Sequence, residues 1–192
     1  MNKHLAIFGL LWICFSVKAQ IKTSFPAEIT EKAYAVIQSN EIDFICESAT
    51  NALKKESYTV TVLDEKGKEA AHFLCMCDQF SSLNKFSGEV YDRTGNLIRK
   101  IKKSELKMSE YSSGLTTDDY MYFFECNIGQ YPYTVKYEWE IKYKNGLISF
   151  PPFARQSRFN LSVVEANYGL HVPSVVTYRT KILNSGNKFQ SK

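Results

Sequence analysis

The sequence predicts a mainly β protein, an antiparallel β-sandwich with one short N-terminal helix. The strongest observation is an uninterrupted alternation of large and polar residues over positions 133–144. Because the side chains of a strand point alternately to its two faces, this pattern indicates a long strand with one buried and one solvated surface. Short β-rich segments separated by turns that carry glycine recur elsewhere in the chain, as in a sandwich. The buried face of the long strand would carry Tyr133, Val135, Tyr137, Trp139, Ile141 and Tyr143.

Residues 1–19 are predicted to be a signal peptide. Lys3 and His4 give a basic start, an apolar core spans 5–17, and Val17-Lys18-Ala19 offers a small-residue cleavage site. The apolar run is shorter than the roughly twenty residues that a transmembrane helix needs. We therefore expect an exported protein, periplasmic or secreted, with no integral membrane segment after signal cleavage.

Residues 20–40 are predicted to form a leader and a short helix. Over 27–39, apolar residues recur at steps of three and four positions, with charged residues between them: Ile29, Ala33, Val36 and Ile37. This spacing is typical of an amphipathic helix.

Residues 41–183 are predicted to form the sandwich, and residues 184–192 a polar tail. The polar segment 64–69 predicts a hairpin turn between strands at 58–63 and 71–77. A second glycine-bearing turn at 92–96 joins strands at 87–91 and 97–101, and the polar stretch 102–119 is predicted to be the longest loop. Further strands are predicted at 42–47, 120–127, 161–166, 168–172 and 175–183.

The overall charge gives no indication of a nucleic-acid partner. The formal net charge of the 192-residue chain is +4, and cleavage after Ala19 would remove Lys3 and Lys18 and lower it to +2. Lysines alternate with acids along the predicted strands, which indicates an ordinary solvated face rather than a basic patch.

No catalytic, cofactor-binding or metal-binding residues are predicted, and the chain is not expected to be an enzyme. His72, Cys75 and Cys77 are the best candidate metal ligands, but period two places His72 on the opposite face of a strand from the two cysteines. The cysteines lie in apolar strands, not at the helix starts or glycine-rich elbows typical of reactive thiols. Two alternatives remain, buried free thiols or one disulfide, among Cys46, Cys75, Cys77 and Cys126.

Acidic pairs are interpreted as ordinary surface residues. Asp118 and Asp119 lack the regularly spaced oxygen ligands and the glycine of a calcium loop. Glu138 and Glu140 are expected on the solvated face of the long strand. Glycine-rich phosphate loops, GxSxG elbows and HExxH helices do not occur in the sequence.

The aromatic residues allow two interpretations. The stripe along 133–143, with Tyr131, could line a carbohydrate- or peptide-binding surface, but strict alternation favours the core face of a sandwich. The segment Phe150-Pro-Pro-Phe153 could be an exposed contact or a rigid loop plug.

Several segments, taken in order, carry a resemblance to one family. They span most of the chain beyond the signal and include Ala35-Val-Ile-Gln38, Thr61-Val-Leu-Asp-Glu-Lys-Gly-Lys68, Asp78-Gln-Phe-Ser-Ser-Leu-Asn-Lys-Phe-Ser-Gly88, Glu89-Val-Tyr-Asp-Arg-Thr-Gly95, Lys103-Ser-Glu-Leu106, Tyr131-Pro-Tyr-Thr-Val-Lys-Tyr-Glu-Trp139 and Phe150-Pro-Pro-Phe153. This set resembles domain-of-unknown-function family number 3857, the N-terminal module of exported bacterial transglutaminase-like proteins.

The resemblance implies a β-sandwich that precedes a papain-like transglutaminase domain. The catalytic cysteine, histidine and aspartate belong to that later domain, so no catalytic residue is carried over to this sequence. The chain ends at Lys192, where the resemblance leads us to expect a module without the transglutaminase domain and truncated at its C-terminal end.

The sequence therefore predicts an exported, non-catalytic binding or accessory module. Its expected partners are a peptide, a glycan or a transglutaminase-like domain. One alternative is an accessory subunit of a separately encoded transglutaminase- or protease-like enzyme. Another is a truncated gene fragment with no independent activity.

Overall fold

A computed structural model describes residues 21–110, 119–146, 148–179 and 181. The predicted signal peptide and polar tail lie outside the described residues. The helical elements are α1 (Ala27–Thr30) and two 3₁₀ helices, Glu65–Ala71 and Lys103–Glu105. The strands of the described part are β1 (Ala35–Cys46), β2 (Ala52–Val62), β3 (Phe73–Cys77), β4 (Ser81–Tyr91), β5 (Leu97–Lys102), β6 (Lys107–Glu110), β7 (Tyr120–Phe124), β8 (Tyr133–Tyr143) and β9 (Leu161–His171).

The strands form two sheets that share one core. The larger sheet has the order β5-β4-β8-β2-β1-β9, and the smaller has the order β3-β7-β6. All pairs are antiparallel except β1 with β9, which is parallel. The prediction of a mainly β sandwich with one short N-terminal helix is confirmed, with this single parallel pair as a difference from a purely antiparallel arrangement.

The long alternating segment is a central strand of the larger sheet. β8 lies between β4 and β2, so both of its edges are hydrogen-bonded. Its face toward the smaller sheet, here called the inner face, buries Val135 and Tyr137 almost completely. On the outer face Thr134 is also buried, and its hydroxyl hydrogen-bonds the Thr61 hydroxyl across the sheet at 2.8 Å.

The predicted helix over 27–39 is wrong beyond its first turn. α1 ends at Thr30, and residues from Ala35 onward belong to β1. The pairing of β1 with β2 shifts register between Ile37 and Ser39, which makes Gln38 the extra residue of a β-bulge. The leader covers the outer face here, because Lys22 and Gln38 exchange two hydrogen bonds. Val36 is therefore buried on the outer face and Ile37 on the inner face. Two adjacent apolar residues at this position made the sequence pattern resemble that of an amphipathic helix.

The predicted hairpin over 58–77 is also wrong. β2 lies in the larger sheet and β3 in the smaller one, so the connection crosses from one sheet to the other. Its residues form the 3₁₀ helix Glu65–Ala71, in which the Asp64 carboxylate accepts a hydrogen bond from the backbone N–H of Lys66.

Other strand boundaries differ from the predictions. β4 begins at Ser81 rather than 87, and β9 runs without a break where two strands were predicted. The predicted loop 102–119 contains a 3₁₀ helix and β6, while its residues 111–118 lie outside the described residues. In the predicted strand 175–183, the described positions have no strand structure.

The core has two parts. Between the sheets, the Phe73 ring of β3 packs against Phe86 at 4.5 Å and Tyr137 at 5.5 Å between ring centroids. At the far end of β1, Phe44 packs edge-on against Phe150 at 5.6 Å. The segment Phe150-Pro-Pro-Phe153 is thus a plug over the sheet rather than an exposed contact.

No helix in the described part of the chain is long and apolar enough to cross a membrane.

Candidate functional site

Among the described residues, the inner face of the larger sheet is incompletely covered, and the gap forms a cleft of about 330 Å³. The smaller sheet covers β4 and β8, and the segment after Phe150 covers the far end of β1 and β2. Between them, one wall is the 3₁₀ helix with the start of β3, and the other is the segment 157–161. The floor of the cleft consists of Asn40, Glu56, Tyr58, Tyr137 and Trp139.

Strand β2 places charged residues where a core residue is expected. Glu56 and Lys54 share the inner face with Val60 and Val62, because they lie opposite Trp139 and Ile141 of β8. Their side chains form an ion pair of 2.7 Å and are only 11% and 17% exposed. Burial raises the pKa of Glu56 even though the neighbouring Lys54 ammonium acts in the opposite direction. Desolvation of this carboxyl therefore outweighs its attraction to the lysine.

Two polar side-chain atoms in the cleft are buried without a hydrogen-bond partner. Within the described residues, neither the Oδ1 atom of Asn40 nor the Nε2 atom of His72 finds one. Both residues line the cleft, from its floor and from one wall respectively. Buried polar atoms are nearly always hydrogen-bonded, so these two are exceptions in the packing beneath the cleft.

The mouth of the cleft is spanned by an ion pair. Glu69 on the 3₁₀ helix accepts a hydrogen bond from Arg158 on the opposite wall at 2.8 Å, and both side chains are more than 60% exposed. Lys66 lies over the Tyr34 ring, 5.2 Å from its centroid. An exposed ion pair contributes at most about 1 kcal/mol, so the contact across the mouth can open at low cost.

Two tyrosines tie the floor of the cleft to its wall. The Tyr137 hydroxyl donates to the Ala71 carbonyl at 2.8 Å, and the Tyr58 hydroxyl to the Ala70 carbonyl at 3.3 Å. Burial raises the pKa of both phenols, which keeps them protonated as donors. Trp139 meets Phe73 edge-on at 5.3 Å between ring centroids. The floor is therefore held rigidly against the 3₁₀ helix.

The four cysteines of the described chain are buried free thiols. Cys75 and Cys77 lie on the inner face of β3 with their sulfur atoms 3.9 Å apart, and a hydrogen bond to Cys77 together with burial raises the pKa of Cys75. Burial raises the pKa of Cys126 to about 11. His72 precedes β3 and faces the cleft, so the histidine and the two cysteines do not converge. No group of three or more metal-ligating side chains occurs among the described residues.

The acidic residues of the long strand behave differently from one another. Glu138 is exposed on the outer face, as predicted. The prediction for Glu140 is wrong: it is 7% exposed and accepts a hydrogen bond from Asn84, the extra residue of a bulge in β4. That hydrogen bond lowers the pKa of Glu140. Of the predicted pair 118–119, the first residue lies outside the described part.

Sequence reasoning missed the cleft residues Asn40, Glu56 and His72 as a group. One signal was available for Glu56: extending the alternation of Val62, Val60 and Tyr58 backwards along β2 places Glu56 and Lys54 on the core face. A charged residue at a core position is the kind of local conflict that indicates a functional site.

The fold and the cleft define the class of the protein as a two-sheet β module with a small polar cleft between its layers. The model of a family described as a domain of unknown function with a solved structure, DUF3857, matches residues 52–192. The chain belongs to this family, which confirms the resemblance inferred from the sequence.

One crystal structure supports the fold independently. It is described as that of a "putative protease" from Parabacteroides distasonis ATCC 8503, and it superposes with a TM-score of 0.51 at 11% sequence identity. The match covers 59% of this chain and 24% of that one, so the likeness concerns the fold alone. No curated protein matches the chain.

Proposed function

We propose that the chain is an exported, non-catalytic binding module and that the cleft over Asn40, Glu56 and Trp139 is its binding site. The observation that carries this proposal is the composition of the cleft, in which Tyr58, Tyr137 and Trp139 form an aromatic floor beside the polar residues Asn40, Glu56 and His72. Small-molecule sites are typically concave, with aromatic walls and a few converging polar groups. The cleft has this composition.

The non-catalytic part of the proposal is supported by the state of the candidate nucleophiles. The pKa of the Cys75 and Cys126 thiols is raised, whereas the hydrogen bond with Cys75 lowers the pKa of Cys77. All three thiols are buried, and buried structural cysteines are unreactive. Ser157 also lines the cleft and carries a hydroxyl that could act as a nucleophile. Among the described residues, the Nε2 atom of His72 makes no hydrogen bond to this hydroxyl. A base that makes no bond to a nucleophile does not activate it.

Retention on immobilised ligands tests the binding function. The chain is passed over glycan and peptide fractions of a bacterial cell envelope, with Asn40→Leu as the cleft variant. Asn167→Leu, on an exposed position of β9, is the matched control. We expect retention of the wild type and the control and loss in the cleft variant. Equal retention of all three proteins would contradict the assignment of the cleft.

Export is proposed from the pattern of residues 1–19. Fractionation of cells that produce the full chain, followed by N-terminal mass analysis, tests it. We expect the protein outside the cytoplasm with Gln20 as its first residue. An intact N-terminus in the cytoplasmic fraction would refute export.

A second candidate function is favoured by the relatives. The family match and the likeness to part of a longer chain described as a protease suggest an accessory module for a transglutaminase- or protease-like enzyme encoded separately. We would expect such an enzyme to co-purify with the tagged chain in a one-to-one ratio. Co-purification that Asn40→Leu does not reduce would favour this role over ligand binding in the cleft.

A further inference from the structure

One base that lines the cleft has no acidic partner. Below the floor, Lys54 pairs with Glu56 at 2.7 Å, and across the mouth Arg158 pairs with Glu69 at 2.8 Å. Lys66 lines the same cleft, and among the described residues no carboxylate forms an ion pair with its ammonium group. The charged groups of the cleft therefore carry a surplus of positive charge, which favours an anionic ligand.

The acids that precede Lys66 on the wall of the cleft are engaged elsewhere. Glu65 pairs with Lys68 at 3.5 Å within the 3₁₀ helix. The Asp64 carboxylate caps the same helix, because it accepts a hydrogen bond from the backbone N–H of Lys66. The Lys66 ammonium itself lies 5.2 Å from the centroid of the Tyr34 ring. A cation over an aromatic face keeps its full charge, so this ammonium can still attract an anion at the cleft.

The ion pair across the mouth shows how an anion can be held there. The Nη1 atom of Arg158 donates to one carboxylate oxygen of Glu69, and both side chains are more than 60% exposed. A guanidinium group has five N–H donors in a planar fork and can hold both oxygens of one carboxylate. A ligand carboxylate that faces this fork would gain a second hydrogen bond. Because an exposed ion pair contributes little, such a ligand can replace Glu69.

The size and the floor of the cleft limit what accompanies the anionic group. The volume of about 330 Å³ lies at the small end of the range of about 300–1,000 Å³ for ligand pockets. A small acid fits as a whole, whereas a peptide would enter with its C-terminus or with one acidic side chain. Tyr58 and Trp139 on the floor provide aromatic surface for the apolar part of either ligand.

We propose that the cleft binds its ligand through a carboxylate group, which replaces Glu69 on Arg158 and pairs with Lys66. This inference rests on the proposed binding function and specifies its ligand class. Glu69 occupies the place of the ligand carboxylate until the ligand enters, so it competes with the ligand for Arg158.

Trp139 on the floor provides a direct signal for this binding. The chain has two tryptophans, Trp12 and Trp139, so the fluorescence of a full chain carrying Trp12→Phe reports the cleft alone. The acidic probes are acetyl-alanyl-alanine with a free C-terminus, acetyl-glutamate amide with a free side chain, and glucuronate. Their uncharged counterparts are acetyl-alanyl-alanine amide, acetyl-glutamine amide and glucose. Inorganic phosphate represents an anion that is not planar.

We expect a saturable change with at least one acid, and about tenfold weaker binding of its uncharged counterpart and of phosphate. Arg158→Gln should weaken the acid about tenfold, because a charge-assisted hydrogen bond is lost. Lys66→Gln should weaken it about threefold, since this pair stays exposed. Glu69→Gln should strengthen binding by up to about fivefold, the change that loss of a competing exposed ion pair corresponds to.

The matched control is Lys68→Gln, which removes a charge from the same 3₁₀ helix at a position that does not line the cleft. It should bind the acid as the wild type does. The substituted side chains are all exposed, and circular dichroism verifies that each variant is folded. Equal weakening by Lys68→Gln and Lys66→Gln would mean that overall charge, rather than the cleft, attracts the acid, and would overturn the inference.

The failure of this inference differs from the failure of the proposed function. An uncharged counterpart or phosphate that binds as tightly as the acids would overturn the carboxylate assignment and leave a binding module. Weaker binding by Glu69→Gln would overturn the competition between Glu69 and the ligand. Silence of every probe would overturn the inference alone if envelope fractions still retain the chain, and would overturn both if they do not.

Discussion

The two halves of the inner face of β2 are built for different purposes. Val60 and Val62 are completely buried beneath the smaller sheet and its connections. Lys54 and Glu56, on the same face of the same strand, form an ion pair beside an open cleft. Full burial of a valine stabilises a protein by about 1.5–3 kcal/mol, whereas a buried carboxylate has to offset its lost hydration.

This difference shows how the fold separates stability from binding. The apolar half joins the two sheets into one core, and the polar half lies beside the cleft, where its two charged side chains are nearly buried. Because the two halves share one strand and one register, the sealed half holds the open half in place. Substitutions should therefore affect stability strongly in the first half and binding strongly in the second.

The largest effect is expected at the border between the two halves. Phe73→Ala removes a 3% exposed ring that contacts Phe86, Tyr137 and Trp139. We expect a loss of about 3–5 kcal/mol in the free energy of unfolding, measured in urea, because a cavity replaces the ring. Leu74→Ala, at the next position and 59% exposed, is the control and should change it by less than about 0.5 kcal/mol. Similar losses in both variants would refute a core between the sheets.

A smaller effect is expected where the 3₁₀ helix forms the cleft wall. A Cβ atom at Gly67 would come within 2.6 Å of the Tyr34 carbonyl carbon, which belongs to the backbone and cannot rotate away. Gly67→Ala should therefore push the wall outward and cost about 1–3 kcal/mol in thermal unfolding, as overpacking does. A Cβ at Gly129 meets nothing within 4 Å, so Gly129→Ala is the matched control. Equal melting temperatures for both variants would show that this wall is not packed on β1.

Much of the sealed half could be predicted from the sequence. The β8 alternation identified Tyr137 and Val135 as core residues because period two was uninterrupted there. Prediction failed where a bulge changed the period: at Gln38 it made a strand look like a helix, and at Asn84 it brought a partner to Glu140. A bulge leaves no fixed signature in the sequence, since any residue with a suitable neighbour can form it.

The open half could be predicted only in part. The charge at Glu56 follows from the alternation of β2, but its meeting with Asn40 and His72 depends on long-range placement. Residues 40 and 56 meet through the register of β1 with β2, and residue 72 reaches the same cleft because the connection crosses to the other sheet. No local pattern specifies that crossing.

The ionisation of Glu56 should lower the free energy of unfolding of the protein as pH rises. Its pKa is raised above the ordinary value of 4.5, so the protonated carboxyl stabilises the folded state below that pH. This stabilisation is lost as pH increases through the folded-state pKa. We expect the stability of wild type relative to Glu56→Gln to decrease between pH 4 and neutral pH. Urea unfolding of both proteins across this range measures the difference.

The control for that experiment is Glu165→Gln, which removes a carboxyl from an exposed position of β9. A pH dependence of the same size in both variants would mean that overall charge, rather than burial of Glu56, is responsible. A rise in relative stability with pH would mean that the attraction of the Lys54 ammonium for the Glu56 carboxylate outweighs desolvation of that carboxylate.

The smallest effect on stability should come with the largest effect on binding. Within the described residues the Asn40 side chain makes no hydrogen bond, and its Oδ1 atom is buried. Asn40→Leu replaces the unpaired polar side chain with an apolar one of similar size. The free energy of unfolding should therefore stay the same or increase by about 1 kcal/mol or less, and the melting temperature should not fall. Retention of ligand should be lost in the same protein. Asn167→Leu should alter neither. A clear destabilisation by Asn40→Leu would instead mean that Asn40 supports the fold, and the contrast between a sealed half and an open half of β2 would then fail.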